Sequence, residues 1–420
     1  MSKYLSKHFY PYTSLTRINK DRGCLSSAAS YFLGGHMNPL SLYIHIPFCV
    51  SKCAYCDFVS YRIGTLEKNE GIKAYIDALK TEIQQFASIL MSHEIKTIYF
   101  GGGTPSAIDG AYIHDLIDTI KSYAAISEDV EITVEINPGT LNKEKINHYL
   151  ASGVNRISMG LQTTNDRLLT SIGRIHSTND FITTYNAIRE AGFRNVSLDL
   201  MFGLPGQTLG DIDKALRLVE TLKPEHVSAY GLKIEEGTPL YFSYEAGKIE
   251  LPDEETERMM YHNIVPGLSE LGINQYELSN FAKPGYESKH NLTYWKNMPY
   301  LGFGVSSHSK INQTRTANIS EIKDYVEHLI RGKSILTDSD FIDPSEDLFE
   351  TIILGLRLNS GLRIMEINTK YEIDFFERYR SVLDKLRDEQ LIELGEEEVK
   401  LTDLGRDLAN QVFLQFMMDM

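Results

Sequence analysis

Residues 43–58 constrain this chain more than any other stretch. They read Tyr-Ile-His-Ile-Pro-Phe-Cys-Val-Ser-Lys-Cys-Ala-Tyr-Cys-Asp-Phe and hold three of the four cysteines, Cys49, Cys53 and Cys56, spaced C-x3-C-x2-C. A strand-like run from Ser41 to Ile46 leads into Pro47, so the cysteines fall on the loop that follows a strand. A compact loop can turn three thiolates toward one centre, and such soft ligands select iron–sulfur clusters, zinc or copper(I). Three ligands on a 4Fe–4S cubane leave one iron open to a small chelating molecule. The competing reading is a structural zinc site, which usually takes four protein ligands; His45 is the available fourth. A secreted disulfide scaffold is excluded, because four cysteines in 420 residues, three of them clustered, do not make one.

The hydrophobic share of 42% and charged share of 24% are ordinary for a soluble globular chain, and 420 residues suit two domains better than one. A net charge of −15 argues against a sequence-independent nucleic-acid binder, which needs basic patches. No apolar run approaches the roughly 18 residues of a membrane span. Reduced thiols and an oxygen-sensitive cluster point to the cytoplasm. Residues 1–36 are polar, lack both hydrophobic periodicity and a signal-peptide core, and read as a disordered extension or an upstream start ahead of Met37. Cys24 lies in that segment and is not assigned to the cluster.

Past the cysteines, strands and helices alternate. Residues 70–91 carry apolar side chains at helical spacing. Strand readings follow at Lys96–Pro105, Val130–Pro138, Arg156–Gln162, Asn195–Gly203 and His226–Leu232, with helices at 110–123, 142–152, 178–191, 209–222 and 253–271. Six such units predict a parallel sheet with helices outside, two units short of a closed eight-stranded barrel. The fold class is therefore α/β: an incomplete (βα)6 barrel over residues 37–271. From about residue 272 the rhythm changes. Helices near 320–331, 345–357, 373–389 and 403–417, with a short hairpin across 391–402, predict a mainly helical, winged-helix-like module within 272–420.

In such barrels function collects at the C-terminal strand ends. Gly101-Gly102-Gly103-Thr104-Pro105 follows a strand, and glycines there let a ligand approach the backbone; a plain tight turn is the alternative. Glu135, Gln162, Arg174 and Asp199 lie at or just past successive strand ends. A carboxylate there can accept from ribose hydroxyls, and the Arg fork can pair with a carboxylate. Each alone would read as a rim residue; at this regular spacing they line one cleft. Tyr43 and Tyr55 flank the cysteines, Tyr43 as a hydrogen-bonding or packing aromatic and Tyr55 as a ring or backbone contact for a ligand. The second constellation, His290-Asn-Leu-Thr-Tyr-Trp295, contains the single tryptophan. Imidazole is a common haem-iron ligand, while a structural histidine is the alternative. His308 is a weaker candidate of the same kind.

The cysteine spacing beside the strand Tyr-Ile-His-Ile-Pro resembles the radical S-adenosylmethionine (SAM) superfamily, in which SAM chelates the open iron through its amino and carboxylate groups. More narrowly, YIHIPFC…KC-x-YCDF, GGGTPS, EINP, GLQ, IGRIHS, LDLMFGLPGQT, HNLTYW, LGFG-x-SSH, GLRLNSGL and LTDLGRDLANQVF, in that order from Met37 to Phe413, resemble the HemW haem-chaperone family. That family is related to the oxygen-independent coproporphyrinogen III oxidase HemN. The resemblance implies that Cys49, Cys53 and Cys56 hold a 4Fe–4S cluster. It implies that Tyr43, Tyr55, Gly102, Gly103, Thr104, Glu135, Gln162, Arg174 and Asp199 contact SAM, and that His290 binds haem. Its partners would be haem and a haem-acceptor protein, among them respiratory haem proteins met transiently at the membrane. A second copy of the chain is left open as a partner. Phe58 stands where the oxidases carry a further cysteine, which favours the chaperone. A radical SAM oxidoreductase acting on a porphyrin, such as coproporphyrinogen III oxidase, is the alternative, motivated by the intact SAM set. A radical SAM enzyme on an unrelated substrate is the third reading.

Overall fold

A computed structural model describes residues 37–65 and 68–417. The readings of residues 1–36 and of Cys24 lie outside the described residues.

The expected alternation is present. The elements run β1 (Asn38–Ile46), α1 (Lys68–Gln85), β2 (His93–Gly102), α2 (Gly110–Tyr123), β3 (Ala125–Ile136), α3 (Lys143–Ser152), β4 (Arg156–Gln162), α4 (Thr178–Glu190), β5 (Val196–Phe202), α5 (Leu209–Leu222), β6 (His226–Gly231) and α6 (Glu254–Glu270). Strands β1 to β6 are neighbours in that order, and β2 through β6 pair in parallel. This is the incomplete (βα)6 barrel. Residues 364–417 contribute five helices around a three-stranded sheet formed with Leu362–Arg363, the winged-helix-like module.

The side-chain period of two along each strand sorts residues between two faces. One face is apolar: Leu42, Ile44 and Ile46; Ile98 and Phe100; Ile132, Val134 and Ile136; Ile157, Met159 and Leu161; Leu198 and Leu200; Val227 and Ala229. All are buried in one core with Tyr75, Leu79 and Ile83 of α1, Ile113, Leu116 and Ile117 of α2 and Phe181 and Ile188 of α4. Each large side chain stabilises by about 1.5–3 kcal/mol. The other face is mostly polar: Ser41, Tyr43 and His45; Thr97 and Tyr99; Glu131, Thr133 and Glu135; Arg156, Ser158 and Gln162; Ser197 and Asp199; His226, Ser228 and Tyr230. A parallel strand buried on both faces by helices would read as continuously apolar. These strands alternate because their inner face lines a lumen.

The sheet continues past residue 271. Tyr300–Phe303 is a strand that pairs in parallel with β1. It starts an antiparallel meander through His308–Ile311, Thr314–Asn318 and Leu336–Phe341. On the opposite edge Asn280–Ala282 pairs with β6 and with Asn274–Glu277. β3 begins at Ala125, five residues before the expected Val130; its first residues pair with Glu94 and Ile95 across a register shift.

Glu82 of α1 clamps the turn after Tyr300–Phe303. Its buried carboxyl accepts from Gly304 N at 2.8 Å, from Asn318 Nδ2 at 2.7 Å and from the Tyr325 hydroxyl. Burial pushes it from the usual 4.5 up to about 7, against the hydrogen bonds that hold it down. A carboxyl raised on folding contributes stability that is present below about pH 4.5 and lost as pH rises through about 7. At about 1.4 kcal/mol per pH unit, wild type is expected to lose about 3 kcal/mol relative to Glu82→Gln between pH 4.5 and 7. Urea denaturation at several pH values checks this; parallel pH profiles for the two proteins would refute it.

Candidate functional site

β1 delivers the cysteines to the C-terminal end of the sheet. Phe48 and Cys49 bridge to Tyr61 and Arg62, closing the loop between them, and Cys56 N donates to Cys53 O at 3.3 Å inside it. Neighbouring strand ends pin this loop. Gly103 N donates to Ile46 O at 3.0 Å, Thr104 N to Phe48 O at 2.8 Å, and Ala54 N to Ile172 O at 2.9 Å. Two glycines make these approaches possible. A Cβ on Gly103 would lie 2.8 Å from Phe48 N, and one on Gly173 2.9 Å from Ala54 N.

Cys49, Cys53 and Cys56 are free thiols. The Thr104 hydroxyl donates to Cys49 Sγ and Arg174 Nη1 to Cys53 Sγ, each at 3.6 Å. Burial raises the Cys49 thiol and pushes Cys56 up to about 11, so a metal that takes them as thiolates displaces protons. Among the described residues no three His, Cys, Asp or Glu side chains are gathered for a metal ion. His45, the fourth ligand of the zinc reading, is committed elsewhere: Nδ1 lies 3.0 Å from Tyr43 Oη and Nε2 2.9 Å from Val59 O.

The other candidates ring the same end of the lumen. Glu135 Oε2 accepts from Gly102 N at 3.3 Å, and its Oε1 accepts from Tyr99 Oη at 2.7 Å. Burial pushes the Glu135 carboxyl up to about 7, against the Tyr99 hydrogen bond, and nearby Asp199 adds to the rise. Gly102, at φ 108°, packs on the His45 ring, which a Cβ would meet at 2.4 Å. Arg174 Nη2 donates to Asn137 Oδ1 at 2.9 Å and to Gly160 O at 2.8 Å. Gly160 leaves the space for this, since a Cβ there would lie 2.5 Å from Arg174 Nη2 and 2.6 Å from Gln162 Nε2. Gln162 ends β4 in the left-handed region, φ 68°. Asp199 accepts from Ser158 Oγ at 3.3 Å, and burial raises its carboxyl too. Tyr55 packs against Leu168, Ile172, Met201 and Leu204. A narrow cleft lined by Cys53, Thr104, Asn137, Thr140, Arg174 and His176 opens between the loop and β3.

Sequence reasoning missed Asn137 and Tyr99. Asn137 Nδ2 donates to Thr104 Oγ1 at 2.8 Å, so this one amide joins Thr104 to Arg174. It sits in the Glu-Ile-Asn-Pro stretch, directly after β3. Tyr99 could have been found by counting back two residues from Gly101 along the inward register.

His290 is placed elsewhere. Its helix α7 (Lys289–Trp295) lies at the opposite end of the lumen, against Ser41 of β1, Thr97 of β2 and Glu131 of β3. His290 is 2% exposed. His308 opens the second strand beyond β1.

The Radical SAM superfamily description matches residues 43–219 and the HemN C-terminal domain description residues 342–408. The heme chaperone HemW of Bacillus subtilis is 40% identical over 378 residues, which span 90% of this chain and 99% of that protein. The chain belongs to the HemW family. HemW of Lactococcus lactis is 35% identical, covering 91% of this chain and 98% of its own. The solved structure of Escherichia coli HemN, a coproporphyrinogen III oxidase and radical SAM enzyme, aligns with a TM-score of 0.78 at 25% identity over 90% of both chains.

As radical SAM superfamily members, HemW proteins imply a 4Fe–4S cluster and SAM. The residues present fit both. Three free thiols on one pinned loop are a soft donor set short of a fourth ligand. Beside them Arg174 Nε is buried without a partner, a donor left for an anionic ligand group. Haem, implied by the chaperone name, does not fit His290 as placed. An iron ligand needs a bare imidazole nitrogen, and here Nδ1 lies 2.7 Å from Thr97 Oγ1 and Nε2 2.9 Å from Tyr294 Oη. One face of Trp295 is taken as well, by the Arg357 guanidinium 4.4 Å from its ring centre.

Proposed function

We propose that this chain is a haem chaperone that binds haem and transfers it to an acceptor protein while carrying a 4Fe–4S cluster on Cys49, Cys53 and Cys56 and SAM beside it. The observation that carries the reading is near full-length similarity to proteins named heme chaperone HemW. Residues 37–271 form the cluster- and SAM-bearing core in this reading, and 272–420 the family's C-terminal region. When bound, the cluster and SAM supply reductive radical chemistry. The chain's own part is to orient SAM: the Gly101–Thr104 backbone and Glu135 face its amino end, Arg174 its carboxylate, Asp199 and Gln162 its ribose and Tyr55 its adenine. Among the described residues no helix is long and apolar enough to cross a membrane.

A second reading, a radical SAM oxidoreductase acting on a porphyrin, draws on the fold shared with HemN and on the polar lumen beneath the cysteines. Against it stands Phe58, exposed at the loop's end, where the oxidase pattern has cysteine.

Haem titration of anaerobically reconstituted protein, followed at the Soret band, decides between the two readings. The chaperone reading expects one-site saturable binding and loss of that band to an added haem-free cytochrome. It also expects coproporphyrinogen III to persist under reducing conditions with SAM. Absence of saturable binding would sink it, and SAM-dependent conversion of coproporphyrinogen III would install the oxidoreductase instead.

A further inference from the structure

We infer that His290 is a positioning residue for the SAM site, holding Tyr99 and through it Glu135, and not an iron ligand. This rests on the reading above that SAM binds beside Glu135.

The argument starts at the floor of the lumen. α7 closes the N-terminal end of the barrel, and polar groups of the inward register hold it there. Glu131 takes the first two amides of the helix, Lys289 N on Oε2 and His290 N on Oε1, each at 3.1 Å. Ser41 Oγ lies 2.8 Å from Thr293 Oγ1. On the far wall, Ser197 Oγ lies 2.7 Å from His226 Nδ1, whose Nε2 lies 2.9 Å from Tyr276 Oη; that same hydroxyl accepts from Ser288 N at 3.2 Å. The plug is therefore tied to several strands at once, and its one imidazole points up into the lumen between them.

Two hydroxyls fix the His290 ring, Thr97 on Nδ1 and Tyr294 on Nε2. Burial, and then the charge of Arg156, push it down to about 3, so it stays neutral at any working pH. What the ring then does is stack. It lies 4.9 Å from the Tyr99 ring at 23°, and Tyr43 stacks on Tyr99 in turn, at 6.3 Å and 22°. Tyr99 packs against both rings, which also meet each other at 6.4 Å, and its hydroxyl donates to Glu135 Oε1 at 2.7 Å. Glu135 Oε2 takes Gly102 N, one residue from the backbone that grips the cysteine loop. A continuous line of packed groups thus runs from the plug to the carboxylate at the candidate SAM site. Offset-stacked rings at this separation favour one geometry over its neighbours, so His290 fixes where the Tyr99 hydroxyl points.

The test is equilibrium SAM binding to the cluster-loaded protein, with iron content and melting temperature measured for every variant. Tyr99→Phe keeps the ring and removes the hydroxyl; a lost hydrogen bond to a charged group corresponds to roughly tenfold weaker binding. His290→Ala is expected to weaken SAM by a similar factor at unchanged iron content. The double variant should be no more than about twofold weaker than either single one, because both substitutions act through the same contact. His290→Phe retains a ring against Tyr99 and is expected to recover affinity to within about threefold of wild type, with haem titrating as in wild type. Unchanged SAM affinity in His290→Ala, or multiplying factors in the double variant, overturns the inference. So does loss of haem binding in His290→Phe with SAM binding intact. If His290→Ala does not fold, Tyr99→Phe and His290→Phe decide alone. Failure of the wild-type protein itself to bind SAM sinks the SAM reading and this inference with it, an outcome told apart by the wild-type titration.

Discussion

Serine at Cys49, Cys53 or Cys56, one at a time, is expected to take cluster iron from about four per chain to near zero after anaerobic reconstitution. The physical reason is a lack of redundancy. The three thiols are the only cysteines among the described residues, and His45, the adjacent imidazole, is held by Tyr43 and Val59. A serine hydroxyl is close in size to a thiol but a hard, weakly acidic donor, so loop geometry survives while the soft ligand is lost. The fold should persist, because the loop is pinned by backbone bonds from Gly103, Thr104 and Ala54 and not by the thiols. Circular dichroism and melting curves near wild type beside absent iron absorption would be the signature. SAM affinity is expected to fall with the iron, since the open iron is one of its anchors in the proposed site. Cys24→Ser is the control and should retain the full complement. A single-serine variant that keeps a full cluster would show that a ligand outside the loop substitutes, and would undo the three-thiol assignment.

How much of this was legible in the sequence divides along a physical line. The six βα units are written in local periodicity, and each strand and helix signals itself within a dozen residues. Much of the site was legible too, because Gly102 and Gln162 end recognisable strands and Glu135 and Asp199 lie within them. What local pattern does not encode is which distant segment fills the space between elements. The HNLTYW stretch looks the same whether its histidine faces a ligand or a core. Only the tertiary fold brings Thr97, 193 positions away, to its Nδ1. The strand Tyr300–Phe303 was hidden for a related reason. Gly302 and Gly304 lower its β-propensity, and its strand character comes from pairing with Tyr43 and Ile44 of β1, more than 250 residues earlier. Polar and apolar residues alternate along these strands, and alternation in a sheet facing solvent reads identically. The helices on the other face are what make it a lumen.

The three glycines before Thr104 separate a ligand cradle from a packing requirement, and a single methyl group tests which applies. Gly103→Ala is expected to destabilise the protein by about 3 kcal/mol, in the range of overpacking a closed site, and to cost most of the reconstituted cluster. The added Cβ would sit 2.8 Å from Phe48 N, 2.9 Å from Ile46 O and 2.9 Å from Phe48 O. All three are backbone atoms of the segment, residues 46–48, that leads into Cys49, so no side chain can rotate away and relieve them. That segment must move, and the bonds Gly103 N to Ile46 O and Thr104 N to Phe48 O must lengthen with it. Those bonds set the distance between the Thr104 hydroxyl and Cys49 Sγ. Displacing them shifts one cluster ligand against the two that Ala54 anchors to Ile172. Gly64→Ala provides the contrast. Nothing lies within 4 Å of its Cβ position, and its expected effect is within about 0.5 kcal/mol with full iron content. Denaturation midpoints and iron content measured on both variants separate the outcomes. A Gly103→Ala protein as stable as Gly64→Ala but without SAM affinity would mean the glycine serves the ligand alone. Loss of stability and iron together would mean that the turn first builds the cysteine loop, and that ligand access depends on that construction.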